Sequence, residues 1–245
     1  MAMQRIKLLG VPVDVCRPDN IEAAILELLV KPGTKQIVFL SVWNLLKARG
    51  KSSYAECVQN ADLVIPVSKS ILSGARFLKM PVPVRQNPFS TVINVLSVLD
   101  SHYKSLYLLG GHKKSLATAE SNVRATFPDL QVVGRYVGYY PRQMEDNIIQ
   151  AIYKSSPSLV LLSEGIKEKD MWAYNRRNRF SSSIFLYYKD VIGIFSDTKK
   201  RVRESTFNRG NEIFVEILHN PFKLFLVFPF LWYIILLIWN KIFKK

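Results

Sequence analysis

The chain is poor in metal-binding side chains. Cysteine occurs only at Cys16 and Cys57, and histidine only at His102, His112 and His219. No Cys-x-x-Cys pair is present, which argues against a structural zinc site. The two cysteines fit a reducing compartment and read as small buried hydrophobes. Acidic residues are also scarce: 19 Asp and Glu stand against 34 Lys and Arg, a formal charge of +15. Such an excess calls for an acidic partner. No helix-turn-helix or aromatic RNA-binding signature accompanies the charge, and it clusters beside an apolar tail, so nucleic acid is set aside. An uninterrupted apolar leader is lacking as well. "MAMQRIKLLGVPVDVC" is broken by Pro12 and Asp14 and reads as a strand rather than a signal peptide.

What is present is a real core. Apolar residues make up 49% of 245 residues, enough for one large α/β domain with an appendage. "RIKLLGVPVDV" predicts a first strand or hairpin, and Asp19 or Asn20 is placed to cap the helix that follows. "QIVFLS", "ADLVIPV", "SLYLLGG", "LQVVGRY", "PSLVLLS" and "SIFLYY" are short apolar runs bounded by turn residues. Helical stretches lie between them, with Ser90 as the expected cap of "STVINVLSVLD", and "DVIGIF" is a further candidate strand. Strands alternating with helices at this spacing predict a Rossmann-like, mostly parallel sheet flanked by helices over residues 1–197.

From about Thr198 the character changes. "KKRVRESTFNRGNEIFVEILHNPFK" is basic and amphipathic, and Leu224 to Trp239 carry no formal charge. As a helix that stretch is roughly 24 Å long, short of the roughly 30 Å hydrocarbon core. Pro229 would kink it, and Trp232, Tyr233 and Trp239 suit a membrane interface. Residues 198–245 are therefore expected to form a helical membrane-associating appendage, with a C-terminal helix buried in a soluble core as the plainer alternative. Its apolar part spans, re-enters or lies in the plane of the bilayer, and the short length with lysines at both ends favours re-entry or in-plane insertion. Lys200, Arg201, Arg203 and Arg209 would meet anionic lipid headgroups or a lipid-linked diphosphate.

The strand-to-helix turn at Gly110-Gly111 is the first candidate for chemistry. Free backbone N–H groups at a helix N-terminus bind phosphate, and His112, Lys113 and Lys114 add donors and charge. An ordinary turn with a lone histidine is the plainer alternative. "KEKDMWAYNRRNR" has two readings too: a solvated helix face with Trp172 packed on the sheet, or contact with phosphate or a partner subunit.

"YLLGG" followed by "NVRATFPDLQVVGRYVGYY" resembles the middle of the WecG/TagA/CpsF glycosyltransferases (glycosyltransferase family 26). "SYAECVQNADLVIPVSKSILSGARFLKMPVPVR", "PSLVLLSEGIKEKDMWAYNRRN" and "DTKKRVRE" extend the resemblance over about Leu8 to Asn220. It implies transfer of an N-acetylhexosamine-type sugar from a UDP-sugar to a polyprenyl-diphosphate-linked acceptor, with inversion and with no metal or other cofactor. It places the protein at the cytoplasmic face of the inner membrane, in surface polysaccharide or glycolipid assembly. Gly110, Gly111, His112, Gly138 and Tyr139 would then line the nucleotide-sugar side.

The departures concentrate at the chemistry. The family's general-base aspartate falls on Val67, which cannot accept a proton. The asparagine of its Thr-x-Asn segment falls on Ser41, the Gln and Glu of its Pro-Lys-Gln-Glu segment on Lys169 and Asp170, and a further aspartate on Gly193. Arg85, Trp172, the Gly138-Tyr139 pair and the basic residues near Lys200 are kept. Two readings follow. In one, the chain is a divergent transferase in which Asp170, Glu164 or Glu168 supplies the carboxylate while Arg85 and Lys169 stabilise the leaving diphosphate. In the other it is a non-catalytic, membrane-docked subunit for a partner glycosyltransferase or a second copy of itself.

Overall fold

The computed structural model describes residues 4–202, 204–209 and 227–243, apart from the side chains of 18 and 209. The chain opens with the antiparallel hairpin β1 (Gln4–Leu8) and β2 (Val11–Val15). The buried Asp14 carboxylate accepts both Arg5 guanidinium bonds and the Val64 amide, which ties the hairpin to the main sheet.

That sheet has six strands, all parallel: β3 (Lys35–Leu40), β4 (Leu63–Pro66), β5 (Ser105–Leu109), β6 (Gln131–Tyr136), β7 (Leu159–Leu162) and β8 (Ile184–Tyr187). Their spatial order is β4-β3-β8-β7-β5-β6. Strands buried on both faces read as continuous apolar runs, and successive side chains serve opposite layers. Leu159 and Leu161 face one layer, while Val160 and Leu162 face the other.

One layer is built from α1 (Ile21–Val30), α5 (Pro88–Ser101), α6 (Lys113–Thr126) and α9 (Val191–Phe195). The opposite layer holds the hairpin with α2 (Val42–Lys47), α3 (Ser53–Gln59) and α4 (Lys69–Phe77), and beyond them α7 (Glu145–Ser155) and α8 (Asp170–Asn175). The Rossmann-like architecture expected from the sequence is therefore present.

Three local expectations change. α5 begins at Pro88, not Ser90. Asn87 caps it through Oδ1, which accepts the amides of Phe89 and Ser90, and proline suits the first helical position because its missing N–H would be unbonded anyway. "DVIGIF" is the helix α9, not a strand. A short apolar run buried on every side carries no periodicity to separate the two. The basic helix over "KEKDMWAYNRRNR" is only α8 followed by a 3-10 turn at Arg177–Arg179.

Beyond residue 198 two helices are described, α10 (Glu204–Arg209) and α11 (Val227–Phe243). Among the described residues no helix is long and apolar enough to cross a membrane. α11 instead packs on α2 and α4. The Tyr233 hydroxyl donates to the Ser70 carbonyl at 2.8 Å, Phe230 meets Trp43 edge-on, and the Lys241 ammonium sits 3.9 Å above the Phe77 ring. Gly74 makes room for this contact: a Cβ there would lie 2.1 Å from the Tyr233 oxygen. The opposite side of α11 leaves Phe228, Leu231, Trp232, Ile235, Trp239 and Phe243 exposed.

Candidate functional site

In an open α/β sheet, ligands bind beyond the carboxyl ends of the strands, where neighbouring strands send their helices to opposite faces. β3 and β8 are such neighbours. α2 leaves β3 toward the hairpin layer, and α9 leaves β8 toward the other. A cleft of about 470 Å³ opens between them. Phe39, Ser41, Asn44 and Lys47 form one wall, Tyr187, Tyr188 and Lys189 another, with Val67, Tyr54, Glu168, Lys169 and Asp170 around the rest.

Local structure explains how α2 presents its polar side. Ser41 Oγ caps the helix by accepting the Asn44 amide at 3.2 Å. Val42 and Leu45 are buried in the hairpin layer, Trp43 and Leu46 pack toward it, and Asn44 and Lys47 are left to the cleft. The Tyr54 hydroxyl oxygen is buried and makes no hydrogen bond among the described residues.

The three carboxylates of the 164–170 loop have different fates. Glu164 is bound at 2.6 Å by the Lys199 amine, which also takes Asp190 at 2.6 Å. Burial lowers that amine's proton affinity, but the two carboxylates outweigh it and the net shift is upward. Glu168 is gripped by Arg176 at 2.7 Å and bonded by Asn175, and the Arg176 bonds hold its carboxyl below the usual range. Asp170 has no ion pair among the described residues and is only 8% exposed. Burial pushes its carboxyl up to about 7, against the opposing pull of its own backbone amide and of Lys169. Its position is firm, because Gln36 Nε2 on β3 donates to the Asp170 carbonyl at 2.7 Å. Lys169 precedes it with φ of 53°, a left-handed backbone that is costly for a non-glycine residue and recurs at functional sites.

The residues expected on the nucleotide side do come together, though their amides are not free. The Gly110 amide donates to Tyr136 O, Gly111 to Glu164 O, Gly138 to Gly111 O and Tyr139 to Gly165 O. The glycines serve close packing of three turns: a Cβ on Gly138 would stand 2.4 Å from the Glu164 carbonyl oxygen. Above them His112 stacks on Tyr139, with ring centroids 4.6 Å apart and planes 13° from parallel. This rim and the cleft share the 163–170 loop, whose early residues bond the glycine turns and whose last residue is Asp170.

Arg85 is absent from the cleft wall. Its Nε donates to the Val67 carbonyl at 2.7 Å, its Nη1 to the Phe207 carbonyl, and its guanidinium lies 3.7 Å from the Phe207 ring centre. Lys200 and Arg201 are exposed, and Arg201 borders a separate small pocket with Asn87, Phe89 and Glu204. Arg203 and the Arg209 side chain lie outside the described residues. Trp172 is buried against Phe180 and Phe185, and its indole donates to Tyr140 and Glu145, so the packed reading of that segment holds for the tryptophan.

The sequence model of the glycosyl transferase WecG/TagA/CpsF family matches residues 6–245. The chain belongs to this family. It is also 21% identical over 168 residues to an N-acetylglucosaminyldiphosphoundecaprenol N-acetyl-beta-D-mannosaminyltransferase of Bacillus spizizenii, a match that covers 69% of this chain and 65% of that protein. Among the polar residues that line the cleft, Asn44, Lys47, Tyr54 and Lys189 were not singled out by sequence alone. Asn44, Lys47 and Lys189 follow closely on the carboxyl ends of β3 and β8, the one signal that could have found them.

Proposed function

We propose that this protein transfers an N-acetylhexosamine-type sugar from a UDP-sugar to a polyprenyl-diphosphate-linked acceptor, with Asp170 as general base. The supporting observation is that Asp170, the loop carboxylate without an ion pair among the described residues, lines the same cleft as Val67, and burial pushes its carboxyl up to about 7. A base poised near the working pH is best matched to proton transfer. The acceptor hydroxyl gives its proton to the Asp170 carboxylate as its oxygen attacks the anomeric carbon. The bond from that carbon to the donor diphosphate breaks, the configuration inverts and UDP departs. The His112–Tyr139 stack offers a flat surface for the base of the nucleotide. The exposed side of α11 enters the membrane interface on the side that carries the lipid-linked acceptor, with the helix lying in the plane.

The test is a transfer assay with UDP-N-acetylhexosamines and a short-chain lipid-diphosphate acceptor. Transfer that falls at least a hundredfold in Asp170→Asn supports the reading; transfer untouched by that change removes Asp170 from the chemistry. Val67 at the family's aspartate position favours a second reading, a membrane-docked binding subunit. UDP binding without transfer under any donor would support that one instead.

A further inference from the structure

The cations around this cleft divide into two groups. Lys199 is held by Glu164 and Asp190, Arg176 by Glu145 and Glu168, and Arg85 by the Val67 and Phe207 carbonyls. Lys47, Lys169 and Lys189 all line the cleft, and among the described residues none of the three pairs with a carboxylate. They reach it from three separate elements: the last turn of α2, the residue before α8 and the turn after β8.

We infer that Lys47, Lys169 and Lys189 form a diphosphate-binding subsite of this cleft. The inference deepens the transferase reading and rests on it for the identity of the ligand, a diphosphate carrying either a nucleoside or a lipid. Three exposed lysines border one cleft of about 470 Å³, and an anion between them would join like charges that otherwise repel one another. A diphosphate is the polyanion this chemistry must handle, and lysine serves phosphate as a mobile point charge. The rival phosphate cradle, the Gly110-Gly111 turn, has both amides spent on Tyr136 and Glu164. Two neutral donors, Ser41 and Asn44, stand in the same wall for the remaining oxygens. Lys169 is the link to the chemistry, because it is adjacent to Asp170 and lowers that carboxyl's proton affinity.

The test is calorimetric titration of the full-length, detergent-solubilised protein with inorganic pyrophosphate, then UDP, then farnesyl diphosphate. Lys47→Gln and Lys189→Gln are each expected to weaken pyrophosphate binding about fivefold, the upper range for a solvent-facing ion pair, and to flatten its salt dependence. Lys154→Gln, on the exposed side of α7, is the control and is expected to change nothing. The double variant then separates the sources: loss of UDP affinity assigns the subsite to the donor, loss of farnesyl diphosphate affinity to the acceptor. The inference is overturned if wild type binds no pyrophosphate, if the double variant binds all three ligands normally, if Lys154→Gln weakens binding equally, or if pyrophosphate alone responds, which would mark adventitious anion binding. Diphosphate binding that depends on these lysines without any sugar transfer would keep the subsite and sink the transferase reading. Normal transfer with an unchanged KM for both substrates in the double variant would do the reverse.

Discussion

Arg85 joins Val67 to Phe207: one guanidinium holds the carbonyl of the residue that follows β4 at 2.7 Å and covers the aromatic ring of α10 at 3.7 Å. Val67, on which the resemblance to the family places its aspartate, is thereby tied to α10 by a single side chain. Burial also lowers the guanidinium's proton affinity, yet arginine stays charged throughout the usual pH range.

Arg85→Ala is expected to leave the Val67 and Phe207 carbonyls without this donor and to cost about 1–3 kcal/mol of stability. Phe207→Ala removes only the ring contact and should cost less, about 0.5–2 kcal/mol. Urea unfolding followed by tryptophan fluorescence measures both, and a larger loss for Phe207→Ala than for Arg85→Ala would contradict this ranking.

Asp170 makes a prediction about pH. Its folded value of about 7 lies above the ordinary aspartate range because of burial, so the buried acid favours the protonated protein. Its contribution to stability is fully present below the unfolded value and is lost as pH rises through 7. In Asp170→Asn the fall in stability between those limits should shrink. The same substitution should abolish an ascending limb near pH 7 in kcat/KM and lower the rate about 10²–10⁴-fold. Thermal unfolding and a pH–rate profile read the two effects separately.

Much of this fold is legible in the sequence because parallel strands buried on both faces leave long apolar runs, and "ADLVIP" or "SLYLLGG" has few other ways to be satisfied. Boundaries set by single hydrogen bonds are less legible. Ser90 and Asn87 are both good caps, and only Pro88 between them decides. The site divides in the same way. Gly138 and Gly111 stand out as glycines, but that the Gly138 amide bonds the Gly111 carbonyl and the Gly111 amide the Glu164 carbonyl depends on how β5, β6 and β7 are ordered in the sheet. Asp170 is visible as a carboxylate, whereas its burial and the pairing of Glu164 with Lys199 arise from contacts remote in sequence. Lys47 and Lys189 are ordinary lysines until β3 and β8 become neighbours.

Gly138→Ala should be poorly tolerated. The added methyl would meet the Glu164 carbonyl oxygen at 2.4 Å and Gly165 Cα at 2.9 Å, both backbone atoms. Overpacking of this kind costs typically about 1–3 kcal/mol, so a melting temperature lowered by several degrees is expected. An unchanged melting temperature would mean that the 138 and 164 turns can part.

The two sides of α11 should respond oppositely to substitution. Tyr233→Phe loses the bond to the Ser70 carbonyl and should cost about 1 kcal/mol of stability with little effect on vesicle binding. Trp232→Glu with Trp239→Glu changes only exposed positions and should leave unfolding unaltered. It should remove most binding to vesicles of phosphatidylglycerol, because it places charge where the interface expects aromatic rings. Co-sedimentation that persists in the double glutamate variant would show that α11 is not the membrane contact.

Val67→Asp places a carboxylate where the resemblance puts the family's aspartate and tests the whole arrangement. Val67 and Asp170 line one cleft, and two carboxylates that share a site cannot both ionise at their ordinary values. If Asp170 is the working base, the ascending limb should move above its value near 7 or split into two apparent steps that belong to the pair. Lys169 and any bound diphosphate would act on both groups, so the profile is best recorded at saturating and limiting acceptor. Adding Asp170→Asn to Val67→Asp should then give a single limb below that of the parent, with the new aspartate as sole base. A limb that does not move in Val67→Asp would mean that the two positions do not share the reacting proton.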